Sequence, residues 1–184
     1  AAKVISNEAI ASDSLIPCRA GDAWYWDGVI FRILNPQANG LATGNNASCV
    51  LQVSSRYGSV LLPADIEEEA EREIIARHHA ALHSRILVAP HHGSNSSSTG
   101  NFLRAVDPEL VLFPAGWMNR YQHPAEKVME RLREHGIQSR QTGACGAITV
   151  HAGKGGITVD SRRQTAGKLW DRSETDRRCS RKSL

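Results

Sequence analysis

Apolar positions along the chain fall into short runs broken by turn residues, with two longer amphipathic stretches between them. "WYWDGVIFRILNP", from Trp24, reads as an aromatic-rich turn at Asp27-Gly28 followed by a strand that ends at Asn35-Pro36. A loop rich in Gly and Asn follows over residues 37–47, and then "SCVLQV" and "SVLL" read as strands joined by the hairpin-length "SSRYG". After Asp65, "IEEEAEREIIARHHAAL" predicts a helix, with glutamates early and histidines late, as the helix macrodipole favours. "RILVAP" predicts a buried strand, "STGNFLRAV" a short helix and "PELVLFPAG" another strand. "HPAEKVMERLREHG" predicts a helix with Pro124 at its first position and Gly136 just past its end. "IQSRQT", "GAITVHA" and "GITVD" close the pattern as short strands. Strands alternating with helices, without internal repeats, define an α/β layered domain.

Composition narrows this little. At 184 residues and a formal net charge of +3, the chain suits one soluble domain with a real core, expected over residues 1–160. No apolar run approaches a membrane span and no signal-peptide pattern opens the chain. The first residue is Ala rather than Met, as expected of a processed chain or a piece of a longer one. The cysteines Cys18, Cys49, Cys145 and Cys179 are too scattered for a disulfide scaffold and show no C-x-x-C spacing, which leaves the redox compartment open. Cys49, inside an apolar run, reads as a small buried hydrophobe. Residues 161–184 change character to an Arg/Lys/Ser-rich stretch, expected to be a flexible basic tail that solubilises the chain or touches a polyanion such as DNA.

The candidate chemistry shares one architectural address. Asp65, the pair His91-His92, and His123 each follow a predicted strand. In an α/β sheet, ligands gather outside the carboxyl ends of strands. Carboxylate and imidazole together suit zinc, manganese or iron. Asp65 reads equally well as the N-cap of the helix that follows. "NSSST" is either a loop feeding a helix start or a set of amides and hydroxyls offered to a phosphate. A further cluster, His78, His79 and His83, has an i, i+4 pair but lacks the Glu of H-E-x-x-H, and reads as a solvated helix face.

Taken in order, "CRAGDAWYWDGVIFRILNP", "NNASCVL", "VLLPADIEEEAE", "ILVAPHHGSNSSS", "DPELVLFPAGWMNRYQHPAEKVMERLREHGI" and "GAITV" resemble one family. It is the C-terminal metallo-β-lactamase-like domain of ComEC-type DNA-uptake channel proteins, and the resemblance runs from about Cys18 to Val150. It implies the second half of an αββα sandwich that, when complete, holds up to two divalent ions, manganese or zinc, with no small-molecule cofactor. By the same resemblance Asp65, His123 and His91 are the expected metal ligands and His91 and His92 the candidate catalytic imidazoles. Ser94, Asn119 and Tyr121 are the expected substrate or phosphate contacts. The implied chemistry is metal-assisted hydrolysis of DNA, single-stranded by expectation, degrading the strand that is not imported. The implied partner is the membrane channel portion of the same protein. The implied location is the outer side of the cytoplasmic membrane, with this segment itself soluble.

The chain departs from that pattern. No H-x-[HD]-x-D-H run occurs in residues 1–184, so a lone segment is expected to be inactive. Ala64 stands where the family has Gly before the bridging Asp, and "QTGACGAI" lacks an Asp common before "GAI". Two other functions therefore stand beside the nuclease. One is a degenerate DNA-binding module of the same fold. The other is a phosphodiesterase acting on cell-wall or lipid phosphate esters.

Overall fold

A computed structural model describes residues 4–6, 15–37 and 42–165. Short strands β1 (Val4–Ser6) and β2 (Leu15–Pro17) pair in parallel, and the body of the fold starts with β3 (Ala23–Trp26). β3, β4 (Val29–Asn35), β5 (Val50–Ser55) and β6 (Gly58–Leu62) form an antiparallel meander. Beyond β6 the connections become helical and the pairing parallel. Helix α1 (Glu68–His78) leads to β7 (Ile86–Val88), α2 (Gly100–Val106) to β8 (Leu110–Phe113), and α3 (Glu126–Glu134) to β9 (Gln138–Gln141). Strands β3 to β9 thus make one seven-stranded sheet in sequence order. After a helical turn α4 (Thr142–Cys145), the hairpin β10 (Ile148–Gly153) and β11 (Gly156–Ser161) completes the layers, and α5 (Arg162–Thr165) follows.

Period-two alternation on the strands sets the two faces. On β8, Val111 and Phe113 join a core with Ile74, Leu103 and Leu132 of the helices, while Leu110 and Leu112 face Ile157 and Val159 of the hairpin. The domain is an α/β sandwich with α1–α3 on one face of the sheet and β10–β11 on the other. The meander half carries exposed aromatics at the sheet edge, with Trp24 stacked on Phe31.

Several expectations shift. α1 begins at Glu68, with Glu67 in the cap position, so Asp65 does not cap the helix and its carboxylate is left for other work. α1 ends at His78 and a 3-10 turn, His79–Leu82, follows, so His79 and His83 do not form a pair on one helix. His83 Nε2 lies instead 3.8 Å from Asp107 Oδ2. Pro124 precedes the Ala125 cap of α3 rather than occupying its first turn, whereas Gly136 follows the helix in the left-handed region at φ +67° as expected. Cys49 lies before β5 and is bonded to Cys18, with Cα atoms 5.9 Å apart, so it is a cross-link between loops and not a small core residue. Of the expected basic tail, residues 166–184 lie outside the described residues, as does Cys179. Its first residues are anchored: Arg163 Nη1 donates to the carbonyls of Gly143 and Ala144 at 2.7 and 3.1 Å.

Candidate functional site

The carboxyl ends of β6, β7 and β8 lie side by side, and the loops that leave them are laced together by backbone bonds. His91 N donates to the Ala64 carbonyl at 2.9 Å, Ala89 N to Leu112 at 2.8 Å, and Ala125 N to Gly93 at 2.9 Å. Asp65, His91, His92 and His123 are thereby drawn to one edge of the sheet. His92 Nε2 is 3.6 Å from Asp65 Oδ1, and the ring centroids of His91 and His123 are 6.2 Å apart.

The local chain is built around left-handed residues. Ala64 (φ +51°), His91 (φ +46°) and His92 (φ +56°) all occupy a region that costs an L-residue about 1–2 kcal/mol each. Such strain persists only where surrounding structure over-determines it, and it clusters at functional sites. Gly93, at φ +86°, is required for a further reason. A Cβ there would lie 2.6 Å from Phe113 Cε1 and 2.8 Å from Pro124 Cβ. The glycine of "HHGS" therefore lets the histidine turn sit directly on the end of β8 and the start of the α3 loop.

Each ring has a distinct setting. His92 Nδ1 lies 3.0 Å from the Pro114 carbonyl. A carbonyl can only accept, so Nδ1 carries the proton and, in the neutral ring, the Nε2 lone pair is presented toward Asp65. Metal-binding and proton-accepting histidines are typically held in this way. His91 Nδ1 lies 3.2 Å from Glu67 Oε1 without forming a hydrogen bond. His123 is held below the ordinary imidazole pKa, first by burial and then by the neighbouring His91 and His92, so its ring is neutral at neutral pH. Its Nδ1 is buried without a hydrogen-bond partner. Tyr121 stacks on this ring at 5.7 Å, and the Arg120 guanidinium lies over the tyrosine at 4.6 Å.

Other expected contacts are partly occupied. Asn119 Nδ2 donates to the carbonyls of Gly116 (3.1 Å) and His123 (2.7 Å), and its Oδ1 accepts from His123 N at 2.9 Å. Both ends of that amide thus shape the loop that presents His123. The Ser94 hydroxyl lies 3.1 Å from that of Ser96.

Two glutamates supply order that the sequence did not single out. Glu67 accepts from Ser96 Oγ at 2.9 Å and Asn45 Nδ2 at 3.4 Å, while its own amide donates to Asn46 Oδ1 at 2.9 Å. Glu71 is fully buried and accepts from Ser98 N (2.5 Å), Thr99 N (2.9 Å) and Thr99 Oγ1 (2.7 Å). Burial raises its pKa above the usual carboxylate value, against the opposing pull of those donors and of Arg131. The legible signal was positional: Glu71 falls three residues before Ile74, on the apolar face of α1.

The donors suit a divalent ion in kind, with carboxylate oxygens and imidazole nitrogens, two of the latter buried without hydrogen-bond partners. In number they fall short, because among the described residues no three His, Cys, Asp or Glu side chains form a group able to hold one. The arrangement defines a class: a layered α/β domain with a histidine and carboxylate cluster at the carboxyl edge of its parallel strands. No protein-family model matches the chain. It is 39% identical over 138 residues, 75% of its length, to "Competence protein ComA" of Neisseria gonorrhoeae. It is 34% identical over 154 residues, 84% of its length, to "Uncharacterized protein YcaI" of Escherichia coli, and 32% identical over 130 residues, 71% of its length, to "ComE operon protein 3" of Bacillus subtilis. The chain is thus similar to part of each of these longer proteins, Competence protein ComA among them, and spans a small share of their length: 20%, 20% and 17%.

Proposed function

We propose that the chain is the second half of a metallo-β-lactamase-like nuclease domain in a DNA-uptake protein, acting on the phosphodiester bonds of the strand that is not imported. The observation carrying this reading is the gathering of Asp65, His91, His92 and His123 at adjacent strand ends, in a chain similar to proteins named for competence. Asp65, His91 and His123 would contribute donors to a divalent ion, manganese or zinc. The further ligands would come from the part of the longer relatives that this chain does not span. When bound, such an ion lowers the pKa of its water and neutralises phosphate charge. The chain's own residues orient and exchange protons: His92, fixed by Pro114, offers Nε2, and His123 stays neutral beside it. The Cys18–Cys49 bond supports a site outside the cytoplasm, since such bonds persist in oxidising compartments. No helix among the described residues is long and apolar enough to cross a membrane, so attachment to a channel would run through other parts of the protein.

A second reading, a DNA-binding module without catalysis, is favoured by the absence of a three-donor group among the described residues. Elemental analysis of the full gene product, with cleavage assays on single-stranded DNA in added manganese, separates the two. Stoichiometric metal, and cleavage abolished by His123→Ala, are expected. Binding without metal or cleavage would establish the second reading. Preferential turnover of small phosphodiesters over DNA would move the substrate to cell-wall or lipid phosphate esters.

A further inference from the structure

Away from the histidines, α1 and α2 leave between them a cleft of about 480 Å³. Its polar wall is formed by Arg72 and His79 of α1 and its continuation, facing Arg104 and Asn101 of α2, over a floor that includes Ile75 and Ala105. Arg104 donates to Asn101 Oδ1, which fixes its guanidinium over the cleft. Arg72, also exposed, forms no hydrogen bond or ion pair among the described residues. The one carboxylate lining the cleft, Glu68, makes no ion pair with either arginine. The cleft therefore presents two guanidinium groups, one committed only to a neutral amide and the other free.

The cleft and the histidine site are joined through one loop. Glu68 N donates to the Ser96 carbonyl at 2.9 Å, and Ser96 Oγ donates to Glu67 Oε1 beside His91. Thr99, another lining residue, caps α2 through its side chain, which accepts from Phe102 N at 3.2 Å. The Ser94–Thr99 loop thus forms a shared wall, with the histidine cluster on one side and the paired arginines on the other.

We propose that this cleft is a phosphate-binding subsite for a nucleic acid strand, with Arg72 and Arg104 gripping a backbone phosphate next to the one at the histidine site. Arginine suits the task because its planar fork matches phosphate oxygens in pairs and keeps its charge at every physiological pH. The inference rests on the reading that DNA reaches the histidine site, and it assigns a place where the strand is held rather than cut.

The test is fluorescence anisotropy of a labelled single-stranded oligonucleotide with the full chain over a range of salt concentrations. Arg72→Ala/Arg104→Ala is expected to weaken binding about tenfold and to flatten the slope of log affinity against log salt by about 0.7, the share of the one phosphate that the pair holds. Arg72→Lys/Arg104→Lys should keep most of the slope. Arg19→Ala/Arg56→Ala removes the same charge from exposed positions elsewhere and should change neither quantity. Thermal melts confirm that each variant is folded. Unchanged affinity and slope in the double alanine variant overturn the inference even if the protein cleaves DNA, and so does a wild-type chain that fails to bind the oligonucleotide. Conversely, binding that depends on Arg72 and Arg104 without any cleavage upholds the subsite and sinks the nuclease reading alone.

Discussion

Replacing Glu71 by Gln tests how the loop beside the histidines is held. The carboxylate is fully buried and takes three donors from Ser98 and Thr99, which start α2 and close the "SNSSST" turn. Ser98 is itself in the left-handed region at φ +55°, so the turn needs these bonds to hold its shape. A glutamine can accept at Oε1 but brings an NH₂ to the other position, so at least one backbone N–H loses its acceptor. An unsatisfied buried donor costs about 1–3 kcal/mol, and a bond to a charged acceptor contributes about 1.5–3 kcal/mol. The carboxylate's own desolvation, which dominates its raised pKa, offsets part of that. A net loss of about 2–3 kcal/mol is expected at pH 7, lowering Tm by roughly 4–12 °C for a domain of this size. The sign of the pH dependence follows from the raised pKa. Between the ordinary carboxylate value and the folded value, the folded state binds more protons than the unfolded one, so wild-type stability rises as pH falls through that window. The glutamine variant lacks this contribution, and the titrations common to both proteins cancel in the difference. The wild type's advantage should therefore grow as pH is lowered from 7 toward 4.5. Urea unfolding followed by far-UV circular dichroism at both pH values measures it. A loss below about 0.5 kcal/mol, or an advantage that shrinks on acidification, would refute the reasoning.

Gly93→Ala should cost about 2–5 kcal/mol, combining left-handed strain with a Cβ forced against Phe113 and Pro124, and should show as a sharply lowered melting temperature or failure to fold. Ala64→Gly should do the opposite: relief of strain at φ +51° less the entropy of glycine leaves a gain of about 0.5–1 kcal/mol, read as a slightly higher Tm. Removing the Cys18–Cys49 bond as a double alanine variant releases a loop closed over a sequence separation of 31, for a loss of about 3–4 kcal/mol in urea unfolding. Equal midpoints with and without the bond would show that it contributes nothing to the fold.

The sequence by itself determined the elements and their order. Short continuous apolar runs such as "RILVAP" and "PELVLFPAG", alternating with amphipathic stretches, read as strands buried between layers, and they gave β7, β8 and the helices to within a few residues. It also brought forward Asp65, His91, His92 and His123, because polar residues in the loops that leave buried strands can converge wherever those strands are parallel neighbours. Tertiary structure alone decided the rest. Helix α1 starting at Glu68 is fixed by the bonds that hold Glu67 and Glu68 to Asn46 and Ser96, and local propensity carries no trace of them. The Cys18–Cys49 bond needs two loops brought within 5.9 Å, which spacing does not encode. The tautomer of His92 depends on a carbonyl 22 residues away. Glu71 and the Arg72–Arg104 cleft exist only once α1 and α2 pack together. The site's chemistry was legible because ligand types are residue types; its geometry was not, because orientation comes from contacts between residues distant in the chain.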